Sequence, residues 1–455
     1  MAIIDYLNED FNILSCEIVI GDGDYNNPII INNPVVIREV KDIVINDTYK
    51  KLINTADVVF PKGSILEGDI IMNITSDGRD SRNIIHRSEN NDFIYTEMRD
   101  DGVVVEKTTT QSLINEDSVR LGQRISIRLG YDGDIKSMFE GYIVSISSED
   151  EVVLHCENMA YILKTKQAPN VHIPASKGNV NDICGEQYGL LKGTGFELHP
   201  DTINSNIQVG EIDIIDQLTV ADVFNSWSRA GIHTFLKYDD SDRMSMPKIA
   251  VARPYSSANR EINENPMQAA YPIYFDYHVA SNNLTYSKSD PMFMAVQGTG
   301  LMSNGRFFKL YVRKNPEYNP NDPSSKKYQV VNATQFSKKQ QKRTGNKTAT
   351  GAETRTKVDL STYNIIPYVS RTPNVTSDQL RDECITWFET YEKNGVEGSL
   401  VIFGDYGLSS ASLVNLIDNI NSDKNGIYIV EEVTTNFGVN GYRQTLKIPY
   451  RVKKM

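Results

Sequence analysis

The stretch LGQRISIRLGYDGDIKSMFEGYI, residues 121–143, decides how the rest of the chain is read. Ile125, Ile127 and Leu129 alternate with Ser126 and Arg128, the period of two expected of a strand with one face on a core. Gly130-Tyr131-Asp132-Gly133-Asp134 then supplies a turn, because Asp-Gly provides the positive φ a tight hairpin needs. Residues 139–146 and 152–156 read as two more strands. Together they form an antiparallel meander of the kind used by a small barrel or sandwich.

Working outward, residues 43–60 are rich in Ile, Val, Thr and Tyr and stop at Pro61-Lys62-Gly63, which predicts two strands joined near 48–52. Residues 67–117 are polar and irregular, with one hairpin expected around Asp100-Asp101-Gly102, and read as an insertion rather than core. Between 166 and 270 the period changes. Leu218-Thr219-Val220-Ala221-Asp222-Val223 carries the N-cap and capping box of a helix whose Val223, Phe224 and Trp227 face one way. Short strands at 232–236 and 249–251 and an earlier helix near 180–188 complete a small α/β unit.

Strands return over 284–312. Residues 313–357 lack apolar periodicity, and 338–357 hold seven Lys or Arg against one Glu, the pattern of a basic loop. Thr376 then caps a helix in which Leu380, Cys384, Trp387, Phe388 and Tyr391 form one apolar stripe. Strands follow at 400–403, 413–417, 426–433 and 442–450. The pattern 413–417, 426–430, 442–448 weakly repeats 125–129, 141–144, 152–156, as a duplicated small β-barrel would.

At 455 residues, the chain has room for about three domains, and 40% hydrophobic residues give each a core. A net charge of −12 argues against nucleic acid as the main partner. No apolar run is long enough for a membrane span, and the first residues lack the basic flank and apolar core of an export signal. Cys16, Cys156, Cys184 and Cys384 are too dispersed for a CxxC metal pair or a disulfide framework and read as free thiols.

Chemical motifs are sparse. Asp22-x-Asp24-x-Asn26 begins like a calcium loop, but Asn27 replaces the required Gly and Asn33 the required Glu. His86, His155, His172, His199, His233 and His278 never fall at zinc-ligand spacing, and His155 and Cys156, neighbours on a strand, point to opposite faces. Gly193-Thr194-Gly195 and Gly298-Thr299-Gly300 are isolated pairs rather than phosphate loops, and no GxSxG elbow occurs. Carboxylate pairs such as Asp213 with Asp216, or Glu431 with Glu432, are expected by chance among 59 acids. The sequence therefore predicts no catalytic, cofactor-binding or metal-binding residues, no cofactor and no enzyme activity.

Three stretches in order, INDTYKKLINTADVVFPKG at 45–63, residues 121–143 above, and GIYIVEEVTTNFGVNGYRQTLKI at 426–448, together with GVEGSLVIFGDYG at 395–407, resemble the baseplate hubs of phage tails and contractile injection machines. This family includes the T-even central hub, the late control protein D group and the hub-like part of VgrG, and its Bacteroidetes phage members look most similar. The resemblance implies an α+β, mainly β chain with two small tube-like antiparallel β-barrel domains separated by a small α/β domain. The boundaries are 1–165, carrying the insertion 67–117; 166–270; and 271–455, carrying the basic insertion 313–360 and the helix 376–393. It also implies a homotrimeric symmetry adapter between the hexameric tail tube and the central spike, part of a channel for DNA ejection. The implied partners are tail tube or distal tail ring proteins, the spike protein and the tape measure protein C-terminus, with transient DNA passage and no stable membrane insertion. The implied location is the virion tail tip, after assembly in the host cytoplasm. Strands 125–129 and 426–433 are expected to join neighbouring edges or line the lumen. No lysozyme-like segment or spike repeat is visible, so spike and enzyme are expected on separate chains. The alternatives are a hub of a host-encoded injection system, or a tail-associated glycan hydrolase or binding protein.

Overall fold

In the computed structural model, Asp132 and Gly133 adopt φ of 52° and 82° and close a two-residue turn between Tyr131 and Asp134, as the Asp-Gly pair predicts. The structure describes residues 13–23, 31–38, 40–60, 86–87, 93–98, 104–109, 119–147, 151–215, 217–228, 231–238, 245–252, 270–288, 294–302, 307–319, 322, 325–332, 363–370, 374–391, 394–404 and 408–454. The turn joins two strands of an eleven-stranded antiparallel sheet. Its members are Leu14–Gly23 (β1), Ile31–Ile37 (β2), Asp42–Thr48 (β3), Thr55–Phe60 (β4), Arg124–Tyr131 (β5), Asp134–Ser147 (β6), Val152–Asn158 (β7), Val279–Lys288 (β8), Asn394–Phe403 (β9), Glu432–Gly438 (β10) and Gly441–Ile448 (β11). Their order is β8-β9-β11-β10-β3-β4-β7-β6-β5-β1-β2.

Sequence periodicity explains most of these strands. Ile43 and Ile45 of β3, Ala56, Val58 and Phe60 of β4, and Tyr442, Leu446 and Ile448 of β11 are buried at alternate positions. β5 departs from this pattern. Its polar residues Arg124 and Ser126 are as buried as its apolar ones. They line a cavity of about 220 Å3 whose wall includes Met159, Tyr238 and Pro247 from beyond the meander. The face turned away from the apolar core thus meets a neighbouring segment rather than water.

No described sheet closes on itself, and β3 pairs with β10. The two separate barrels of the sequence reading are therefore joined as one open sheet, because residues 42–48 find their ladder partner at 432–438. The strand expected over 426–433 is two strands. Gly426–Ile429 lies in a small sheet with Tyr271–Tyr274, Leu413–Ile417 and Arg451–Lys454, whereas β10 lies in the large one. The chain bends at Val430 and Glu431, whose N–H groups donate to Ser412 and Lys447 respectively. The second copy of the sequence repeat is thus split between two sheets and is not a meander. Likewise the strand expected over 442–450 ends at Ile448, and Arg451–Lys454 returns to the small sheet.

The α/β segment follows its local signals. Thr219 accepts from the Asp222 N–H (3.2 Å) while Asp222 Oδ2 accepts from the Thr219 N–H (2.9 Å), the predicted capping box. It starts the helix Val220–Trp227, whose Phe224 and Trp227 rings meet edge to face at 4.9 Å within the segment's core. His233–Lys237 and Lys248–Ala252 pair antiparallel. The helix expected over 180–188 stops at Cys184, before Gly185.

The helix Ser377–Tyr391 is capped by Thr376, which accepts from Gln379 N–H (3.2 Å), and packs on the sheet of Met294–Leu301, Phe307–Lys314, Tyr328–Asn332 and Asn364–Val369. Tyr328–Asn332 is thus a strand within a region expected to lack structure. The basic stretch 338–357 lies outside the described residues, as do 67–85, 88–92, 99–103 and 110–117 of the polar insertion. The predicted hairpin of that insertion is present as Phe93–Met98 paired with Val104–Thr109, in a ribbon with His86–Arg87 separate from the large sheet. Among the described residues, no helix is long and apolar enough to cross a membrane.

Candidate assembly surface

The pairing of β3 with β10 joins residues nearly the whole chain apart, from Asp42 opposite Gly438 to Thr48 opposite Glu432. Apolar packing closes one side of this seam: the Tyr442 ring, fully buried, lies 5.5 Å from Tyr131 and 5.6 Å from Phe437. Polar groups lock its end. Asp47 accepts from Asn54 Nδ2 (2.8 Å), Ser410 Oγ (2.8 Å) and Ser410 N–H (3.1 Å), and Thr48 Oγ1 donates to the Glu431 carbonyl (3.1 Å).

Glu431 is the charged anchor. Its side chain is 6% exposed and takes Lys50 Nζ at 2.6 Å and Lys447 Nζ at 2.8 Å. Burial alone would raise its pKa, but the hydrogen bonds and charges of Lys447 and Lys50 outweigh burial and hold it below the usual 4.5. A folded pKa below the unfolded one contributes stability above pH 4.5 that is lost as pH falls through the folded value. Both lysines remain about half exposed and can rehydrate, so Glu431→Gln is expected to cost only about 1–2 kcal/mol at neutral pH. Urea melts of both proteins across pH should converge well below pH 4.5. A gap that persists in acid would contradict the ion-pair role.

β5, expected to join neighbouring edges or line the lumen, is not an edge, since it lies between β6 and β1; Gly426–Ile429 and β10 likewise have partners on both sides. Among the described residues, the edges are β2 and β8. β8 is ten residues long, exposes residues 280–283, Thr285 and Tyr286, and follows a short helical turn with Tyr277 exposed. β2 carries Pro34, which has no N–H to donate and suits an edge position. An unpaired edge offers a row of N–H and C=O groups to another chain.

The polar motifs of the sequence fall elsewhere. Cys156 is buried and His155 points out, as expected; His155 Nδ1 donates to Asp57 Oδ1 at 2.7 Å. Burial pushes the Cys156 and Cys184 thiols up, which disfavours a nucleophilic thiolate. Glu431, buried between two lysines, is held ionised and is a poor general acid, whatever its neighbour Glu432 does. Asp213 pairs with His172, 41 positions away, and Asp216 lies outside the described residues. Asp22 accepts from Arg120 Nη2 (3.1 Å), and 24–30 of the calcium-like stretch lie outside the described residues. Gly298-Thr299-Gly300 serves packing: a Cβ on Gly298 would sit 2.3 Å from Cys384 Sγ, and one on Gly300 2.5 Å from Val375. Sequence reasoning missed the His172 pairing because nothing local marks a partner that far along the chain.

No protein-family model and no curated protein matches the sequence. Solved structures do resemble the chain over nearly its full length. They are phage tail and type VI secretion proteins. The 43 kDa tail protein of prophage MuSo2 from Shewanella oneidensis is 9% identical, with a TM-score of 0.47 over 95% of this chain and 98% of that one. A tail protein from Neisseria meningitidis is 11% identical, with a TM-score of 0.47 over 96% of both chains. The E. coli c3393 protein, a type VI secretion component described as similar to the T4 tail proteins gp27 and gp5, is 9% identical, with a TM-score of 0.40 over 92% of this chain and 76% of that one.

Proposed function

We propose that the chain is a non-enzymatic baseplate hub, a homotrimeric adapter between a six-fold tail tube and a three-fold central spike. The observation that carries this reading is the eleven-stranded sheet, which draws strands from both ends of the chain and, among the described residues, ends at β2 and β8, each paired on one side only. Long open edges are a liability in a protein that works alone. Head-to-tail contacts between copies form a closed ring when the rotation per copy allows it, so β8 of each copy meeting β2 of the next would remove both edges of the large sheet. The ordered sequence stretches that resemble baseplate hubs support the same reading.

The tube-like units would be residues 1–165 and 271–455, with 166–270 outside the ring. Three copies carrying two such units each would present six to the tail tube or distal tail ring and three to the spike. A tape measure C-terminus and ejected DNA would occupy the lumen, and the net charge of −12 suits a wall that does not retain DNA. The hub would sit at the virion tail tip, after assembly in the host cytoplasm. The test is assembly: the purified chain should form a three-fold particle, and a stable monomer that cleaves glycans would contradict the proposal.

A further inference from the structure

The ribbon of Val171–Ile173 and Ile212–Ile214 carries a mixed donor set. His172 lies directly opposite Asp213 in the register, and Glu211 immediately precedes the strand Ile212–Ile214. His172 Nδ1 is 2.5 Å from Asp213 Oδ1, and one ligand atom from each of the three side chains lies within 4.8 Å of the others. The His172 and Asp213 side chains are 58% and 68% exposed, so an ion could reach them without opening the fold. Glu211 is held in place, because its Oε2 accepts from Asn374 Nδ2 at 2.6 Å, and Oε1 remains for a ligand. The imidazole separates this set from an ordinary acidic patch.

We propose that His172, Glu211 and Asp213 form a surface site for a borderline divalent cation such as Zn2+. One nitrogen and two carboxylate oxygens match the donors of such ions, with water completing the shell, whereas Ca2+ and Mg2+ call for more oxygen donors and no imidazole. The ion would cross-brace a ribbon that has only three residue pairs and fix Glu211 beside the Asn374 loop.

The test is calorimetric titration of the full chain with ZnCl2 at neutral pH, with MgCl2 as control. The native chain should bind Zn2+ and ignore Mg2+. His172→Ala and Asp213→Asn should each weaken Zn2+ binding by more than about tenfold and abolish the rise in Tm that Zn2+ produces. Both substitutions are on exposed side chains, and unchanged circular dichroism would verify folding. Absence of Zn2+ binding by the native chain, or undiminished binding by either substituted chain, would overturn the proposal.

Discussion

Arg124→Leu is expected to destabilise the first half of the chain by about 3–5 kcal/mol, because it strands a carboxylate inside the protein. The Arg124 and Glu140 side chains are only 3% and 7% exposed and meet at 2.5 Å. The other Glu140 oxygen accepts from Ser126 Oγ and Ser137 Oγ, each at 2.6 Å, while Arg124 Nη1 donates to the carbonyls of Ile125 (2.7 Å) and Gly141 (3.1 Å). Every group of this network is matched to another, so removing one member leaves a charge without compensation. Removing both is different. Arg124→Met with Glu140→Leu should recover most of the loss, since an apolar pair of similar volume avoids the desolvation cost. Urea denaturation of the three proteins decides between these outcomes. A loss below about 1 kcal/mol for Arg124→Leu would mean that the site is wet and that the roof over β5 is open.

Phe388→Ala should cost about 3–5 kcal/mol by leaving a cavity beneath the helix Ser377–Tyr391. Phe388 is fully buried and meets Tyr328 edge to face at 5.4 Å, with Leu380 and Cys384 on the same stripe. Trp387 belongs to the same sequence pattern but lies half-buried at the rim, 5.5 Å from Tyr368. Its truncation should therefore cost less than that of Phe388. The glycines of β-strand Met294–Leu301 allow this close contact: Gly298 takes the Cys384 sulfur where any side chain would collide. Thermal unfolding of both alanine variants provides the comparison, and a larger loss for Trp387→Ala would contradict the placement of the helix on the sheet.

Signals confined to a few neighbouring residues were legible in the sequence. The Asp132-Gly133 turn, the Thr219 capping box and the Thr376 cap each need only a local spacing, and all three formed as read. Features that depend on distant partners were not. Nothing in residues 42–48 names 432–438 as their ladder partner, so two barrels were expected where one sheet runs through. Residues 426–433 remain strand-like throughout, which conceals the bend at Val430 and Glu431. Arg124 and Ser126 alternate as a wetted face would, and only the segment packed over them turns that face into a buried network. Gly298 and Gly300 have the spacing of a phosphate loop fragment, yet their smallness serves the helix that arrives some 80 residues later. His172 and Asp213 were weighed separately because register, not sequence distance, brings them together.

In the proposed assembly, three copies close the edges β2 and β8 into a ring. Light scattering on the purified chain, with elution volume and mass recorded together, tests it most directly. A stable particle of three times the 51.3 kDa chain mass is expected, and deletion of β8 should leave monomers. A monodisperse monomer of 51.3 kDa at every concentration reached, with both edges intact, would contradict it.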